Sequence, residues 1–202
     1  MTKTIARILS AILHPLLMPT IGLLFIFSAS ANIFNLSYEA KRIILIIVGI
    51  NTLILPLLMI PLFYRLNIIK SIDMVAHRER IVPLAFTLIP YIFSFYFLYK
   101  LPIIKEIPLF LLGATISILI TLIISIWWKV SIHMVGIGGM VGLFIALSFR
   151  FYVDVVWLLA IFLVLSGVVA WARLALNAHR PSQVYAGFLI GSIIIALTII
   201  LF

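Results

Sequence analysis

Seven long apolar runs follow one another along the chain, separated by short polar segments. The runs cover roughly residues 8–31, 43–64, 83–99, 107–128, 134–148, 155–172 and 184–202. About 20 apolar residues are enough for a helix to cross the hydrocarbon core of a bilayer. The runs lack the alternation of apolar and polar residues that marks the strands of a membrane β-barrel. The pattern predicts an all-α integral membrane protein, a bundle of six to seven transmembrane helices in which residues 1–202 form a single domain.

Composition supports a membrane protein and limits its chemistry. The chain is 66% hydrophobic and 9% charged, which is too apolar for the surface of a soluble domain. The absence of cysteine excludes disulfides and thiolate metal sites. The net charge of +9 is carried by short loops, where it suits lipid head groups or an anionic substrate better than nucleic acid. We expect no metal, no cofactor and no nucleic-acid partner.

Three polar segments are predicted to meet on one face of the membrane. Residues 65–82 follow the second helix, residues 129–133 follow the fourth, and residues 173–183 follow the sixth. Because each helix crosses the membrane once, these segments and the N-terminus lie on the same side. We expect the membrane to be a bacterial inner membrane. The Lys and Arg distribution assigns no orientation, since five of the nine cations on this face belong to the candidate site.

The segment Arg173 to Gln183 carries the candidate chemistry. Arg173 and His179 are separated by five residues and lie between two apolar runs. Ionisable groups are costly at membrane depth, so they are usually kept for a function or a tight structural pair. A guanidinium suits an oxyanion, and an imidazole can act as nucleophile, acid or base. The alternative is two interfacial anchors, with the arginine reaching the head groups and the histidine bonded to a carbonyl.

This spacing resembles the third signature of the type 2 phosphatidic acid phosphatase superfamily, in which Ser-Arg is followed by five residues, His, three residues and Asp. The resemblance implies that His179 attacks phosphorus to form a phosphohistidine and that Arg173 holds phosphate oxygens. Ser131-Ile132-His133 resembles the second signature, Ser-Gly-His. It implies that Ser131 binds phosphate and that His133 protonates the leaving group. Lys129, just before this motif, is also expected to bind phosphate.

The chain departs from that family at several positions, including Ala172 in place of the Ser before Arg173 and Ile132 in place of the Gly before His133. Gln183 stands where the family has the Asp that orients and charge-balances the nucleophilic His. A Gln carbonyl can accept the ring N–H, but it cannot stabilise a developing imidazolium by charge. The first signature, Lys, six residues, Arg-Pro, has no literal match. Arg78 and Arg80 are the predicted substitutes for phosphate binding; the alternative is a basic interfacial loop with Glu79 and Asp73 as local partners.

Two further features are assigned structural roles. His14 precedes Pro15 in the first apolar run, where the proline predicts a kink or a helix that begins as a half-buried segment. The histidine is expected to cap or pack a helix, the alternative being that it joins the site. The glycines of residues 136–139 are expected to allow close helix packing. The few acids argue against the Asp clusters that hold Mg²⁺ in membrane prenyltransferases.

The resulting function hypothesis is a metal-independent membrane lipid-phosphate phosphatase or phosphotransferase. Its partners would be membrane lipids and a phosphorylated lipid or polyprenyl (di)phosphate substrate, an undecaprenyl carrier and a glycerophospholipid phosphate being equally compatible. The alternative is a non-catalytic protein that binds or transports phosphorylated lipids. A third hypothesis is a structural subunit, which predicts that Arg173 and His179 lie far from Ser131 and His133.

Overall fold

Seven helical stretches of the protein are long and apolar enough to cross a membrane. The computed structural model describes residues 1–29, 36–71, 74, 76–151 and 155–202. The seven spans are Thr2–Ser28, Tyr38–Arg65, His77–Tyr99, Glu106–Ile124, Ile132–Phe151, Val156–Ala175 and Pro181–Leu201. They confirm the predicted all-α membrane bundle. Asp73 lies outside the described residues, so the structure does not address its expected role as a local partner.

These spans are built from α-helices. In the first and second spans, a short segment of another helix type separates two α-helices. The described α-helices are α1 (Thr2–Ile12), α2 (Met18–Ala29), α3 (Tyr38–Gly49), α4 (Leu55–Arg65), α5 (Ile81–Tyr99), α6 (Glu106–Ile124), α7 (Ile132–Phe151), α8 (Val156–Ala175) and α9 (Pro181–Leu201). A 3₁₀ turn, Pro15–Leu17, separates α1 from α2 within the first span. A π-helical segment, Ile50–Ile54, joins α3 to α4 within the second.

The break in the first span has the cause that the sequence indicates. Pro15 has no N–H to donate, so the helical hydrogen-bond ladder stops there. His14 begins the 3₁₀ turn, and its Nδ1 accepts the Leu16 N–H at 3.3 Å. The predicted kink and the capping role of His14 are both confirmed.

The predicted start of the second helix near residue 43 is wrong, because the helix begins five residues earlier at Tyr38. Ser37 caps this end, and its Oγ accepts the Ala40 N–H at 3.2 Å. Glu39 lies in the first turn, where its negative charge complements the positive end of the helix dipole. Capping therefore extends the helix through residues that look like a polar loop.

The closest helix contact in the bundle joins α7 to α9. Four glycines, two on each helix, lie where the backbones touch: Gly138, Gly142, Gly187 and Gly191. A Cβ on Gly142 would collide with the Ser192 carbonyl oxygen. A Cβ on Gly191 would likewise collide with the Val135 carbonyl oxygen. Membrane helices use small residues in this way to bring backbones together. Gly138 belongs to the cluster expected to serve packing, and that expectation is confirmed.

An ion pair fixes the other end of this helix group. Arg150 Nε lies 2.7 Å from Glu106 Oε1, which joins the end of α7 to the start of α6. Arg150 Nη1 also donates to the Ile199 carbonyl at 2.9 Å, near the end of α9. Three helices are thereby held at the face opposite the three polar segments.

We expect Gly191→Ala to destabilise the protein, because its methyl group would push α9 away from the α7 backbone. Overpacking of this kind costs about 1–3 kcal/mol. Thermal unfolding in detergent measures the loss. Gly167→Ala is the matched control, since a Cβ at Gly167 on α8 would meet no atom within 4 Å. Equal unfolding temperatures for the two variants would contradict the importance of this contact.

Candidate active site

A tight turn at the end of α8 places His179 close to Arg173. Asn177 adopts the left-handed conformation, with φ of 51°, as the residue after a helix end often does. The Asn177 N–H donates to the Leu174 carbonyl at 2.9 Å, and the Ala178 N–H donates to the Arg173 carbonyl at 3.1 Å. These two bonds form a Schellman motif, which reverses the chain just before His179.

The start of α9 sets the tautomer of His179. Gln183 Oε1 accepts the Arg180 N–H at 3.0 Å, which identifies this amide atom as oxygen. The same oxygen lies 3.2 Å from His179 Nδ1, so Nδ1 must carry the proton of that hydrogen bond. His179 Nε2 is then the ring atom with a free lone pair in the neutral imidazole. Gln183 therefore caps α9 and orients His179 at once.

The start of α7 is bonded directly to this turn. The Ser131 N–H donates to the Gln183 carbonyl at 3.2 Å. This contact brings together the two motifs that the structural-subunit hypothesis required to be far apart, so that hypothesis is wrong on this point. Ser131 itself is fully buried and does not line the cavity described below. The structure thus places the Ser131 hydroxyl behind the cavity wall, where it supports no direct contact with phosphate.

A cavity of about 910 Å³ opens beside His179 and has two chemically different ends. Four cations line its basic end: Arg7, Arg80, Lys129 and Arg173. Three imidazoles line the same end: His14, His133 and His179. The remainder is lined mainly by apolar residues of α4, α5 and α6. Among the described residues, no three His, Asp or Glu side chains are grouped so as to hold a metal ion.

Arg80 belongs to the cavity wall and Arg78 does not. The Arg80 side chain is buried, and its Nη1 donates to the Val130 carbonyl at 3.0 Å. Its Nε donates to the Met74 carbonyl at 3.3 Å. These bonds hold the guanidinium beside the start of α7. Arg78 is exposed and is not brought to the cavity, because residues 77–80 form a 3₁₀ turn that points the two side chains in different directions.

Helix α1 contributes contacts to the site that the sequence motifs do not predict. The Ser10 carbonyl accepts from His133 Nε2 at 3.1 Å, and Ser10 Oγ accepts from Arg173 Nη1 at 3.3 Å. Ser10 thus joins residues from α7 and α8. The spacing of Arg7, Ser10 and His14 could have revealed this, since residues three, four or seven apart lie on one helix face.

Comparison with known protein families supports the predicted resemblance to the phosphatidic acid phosphatase superfamily. Residues 120–202 match the family model of the PAP2 superfamily. The match confirms the predicted resemblance and includes His133, Arg173 and His179; it covers less than half of the chain and does not extend to Arg80 or α1. The PAP2 superfamily includes lipid phosphatases and related phosphotransferases. Neither the curated proteins nor the solved structures gave a match.

The electrostatics of this site keep His179 neutral. Its side chain is buried, and burial is the main cause that lowers its pKa to about 3. The positive charges of Arg80, Arg173 and Lys129 lower the pKa further, while the bond to Gln183 opposes the shift. A neutral imidazole keeps the Nε2 lone pair that a nucleophile needs. The cations therefore act on this residue by preventing its protonation.

The same pKa predicts how stability depends on pH. Between the folded-state value of about 3 and the ordinary value of 6.5, the unfolded state binds the proton and the folded state does not. Stability should then fall as pH decreases below about 6.5, by about 1.4 kcal/mol per unit. We expect His179→Asn to remove this pH dependence. The unfolding temperature of the wild type should therefore fall relative to that of the variant as the pH is lowered from 7.5 to 5. A wild-type-minus-variant difference that stays constant over this range would contradict the shifted pKa.

Proposed function

We propose that the protein is a lipid-phosphate phosphatase that works through a phosphohistidine on His179 without a metal ion. One observation carries this proposal. The Gln183 amide oxygen holds the proton of His179 on Nδ1, which leaves Nε2 as a nucleophile in a cavity lined by Arg80, Lys129 and Arg173. Transfer of a phosphoryl group depends mainly on positioning and on electrostatic stabilisation of its oxygens. This cavity supplies groups for both.

In the first step, the lone pair of His179 Nε2 forms a bond to phosphorus while the bond from phosphorus to the lipid oxygen breaks. The cations stabilise the charge on the phosphoryl oxygens. His133 is the proposed proton donor to the departing oxygen. Because its Nε2–H is held by the Ser10 carbonyl, the ring has to enter this step doubly protonated, as an imidazolium, and Nδ1 carries the proton that is transferred.

In the second step, water attacks phosphorus and the N–P bond breaks. The electron pair of that bond returns to His179 Nε2, and inorganic phosphate leaves. His133, deprotonated in the first step, accepts the proton of the attacking water and is restored. If an alcohol replaces water, the same cycle becomes a phosphotransferase reaction.

The apolar part of the cavity supports a lipid as the substrate. It extends from the basic end along α4 and α5 and reaches Tyr91 and Phe110. Leu57 on α4 and Ile89 on α5 line this part and are 51% and 62% exposed. These exposed fractions support a cavity that opens toward the bilayer between the two helices. A polyprenyl or acyl chain can occupy it while the phosphate lies at the basic end.

Gln183 favours the alternative of a binding or transport protein. An amide can orient His179 but carries no negative charge to stabilise the imidazolium formed when Nε2 is phosphorylated. Loss of such a carboxylate can cost several orders of magnitude in rate. A protein that keeps the basic cavity without turnover would bind phosphorylated lipids and release no phosphate.

Phosphate release from a panel of lipid mono- and diphosphates, in detergent with a chelator, tests the proposal. We expect release by the wild type and none by His179→Ala. His77→Ala is the matched control, because His77 lies on the same membrane face and bonds to the Ser125 carbonyl at 2.9 Å, away from the cavity. Lipid binding that depends on Arg173, with no release from any lipid, would instead support the binding protein.

We further expect Gln183→Glu to raise the rate of phosphate release about tenfold or more, because the carboxylate would stabilise the charged phosphohistidine. The substitution keeps the length of the side chain and an acceptor for the Arg180 N–H. Starting from a pKa of about 3, His179 can gain a negative neighbour and stay largely neutral at pH 7.5. Single-turnover kinetics measure the change. An unaltered or slower rate in a folded Gln183→Glu variant would show that charge at this position does not limit the reaction.

A further inference from the structure

His14 lies where the basic end of the cavity meets its apolar part. Arg7 and Ser10 precede it along the first span and line the basic end, whereas Pro15 and Met18 follow it and line the apolar part. On α7 the same boundary falls after His133, whose successors on the wall are residues such as Gly136 and Met140. A lipid phosphate seated in the cavity would have its ester or bridging oxygen at this level.

The backbone fixes the tautomer of His14. Nδ1 accepts the Leu16 N–H at 3.3 Å and so must keep its lone pair. The proton of the neutral ring is therefore on Nε2. Protonating Nδ1 would break the bond that caps the 3₁₀ turn. His14 is thus held as a neutral ring with one N–H to donate, and Nε2 forms no hydrogen bond to any group of the described residues.

His133 has the opposite assignment. Its Nε2–H is already committed to the Ser10 carbonyl, so Nδ1 can gain or lose a proton without breaking that bond. The two rings are in edge contact, with centroids 5.2 Å apart and planes at 78°. One ring is therefore suited to proton transfer and its neighbour to donating a permanent hydrogen bond.

We propose that His14 is a substrate-binding residue that donates its Nε2–H to the phosphate oxygen nearest the lipid chain. This inference rests on the proposed function, since it assigns a residue to the same site, and the ligand is the same class of lipid phosphate ester or diphosphate. A neutral donor suits this position because a cation beside an apolar channel costs more to bury. The donor also works at any pH at which the protein is folded.

His14→Asn separates this role from capping. Asn is a favoured N-cap residue and can accept the Leu16 N–H, but its side chain is too short to reach the position of Nε2. We expect its unfolding temperature to stay near that of the wild type. With His179→Ala as the common background, so that the ligand is not turned over, its affinity for dodecyl phosphate in micelles should fall about tenfold or more, the worth of a hydrogen bond to a charged group. The value of kcat/KM should fall by the same factor throughout pH 6–8.5, while His77→Asn changes neither quantity.

The outcomes distinguish this inference from the proposed function. Wild-type affinity and turnover in His14→Asn would show that His14 only caps the 3₁₀ turn. That result would overturn this inference and leave the proposed function unaffected. A loss of kcat/KM that varies with pH would also overturn the inference, because a titrating group would then be responsible. Dodecyl phosphate binding that depends on His14, in a wild type that releases no phosphate, would overturn the hydrolytic function alone. If His14→Asn does not fold, His14→Ser provides the same cap for the same measurements.

Discussion

The site depends on the close approach of α7 to α9. Glycines on both helices let the two backbones touch, and at the end of this contact the Ser131 N–H bonds to the Gln183 carbonyl. Gln183 in turn orients His179, and Ser131 is two residues from His133. A side chain between the helices would therefore do more than loosen the packing. It would separate the motif that carries His179 from the motif that carries His133.

Burial and positive charge act together on the imidazole that is the proposed nucleophile. Removing His179 from water disfavours its charged form, and three neighbouring cations disfavour it further. Free cations in a membrane site would be costly, but Arg80 donates to backbone carbonyls and Arg173 donates to Ser10. The guanidinium groups are thus fixed by the fold before a substrate arrives. A preorganised arrangement of this kind needs little rearrangement to bind an anionic phosphate.

The first span gives the candidate site a wall that lies outside the segment matched by the family model. Ser10 bonds to His133 and Arg173, and His14 contacts the His133 ring. The family match begins at residue 120, so α1 and Arg80 lie outside it. The chain has no literal match to the first signature. Residues of α1, together with His14 and Arg80, line the cavity beside the candidate nucleophile instead. The proposed role of His14 follows from that position.

The apolar pattern was enough to predict the membrane bundle, because twenty-residue apolar runs can satisfy their backbone only as helices in a bilayer. Counting crossings also predicted that three polar segments share a face, and the motif spacing pointed to Arg173, His133 and His179. The start of α3 was misplaced because a serine cap outweighs local polarity. Which polar residues reach the cavity depends on how the helices pack: Arg80 and Ser10 line it, Arg78 is exposed and Ser131 is buried. Spacing along a chain places a residue on a helix or in a turn, whereas the direction of its side chain depends on the helices that pack against it.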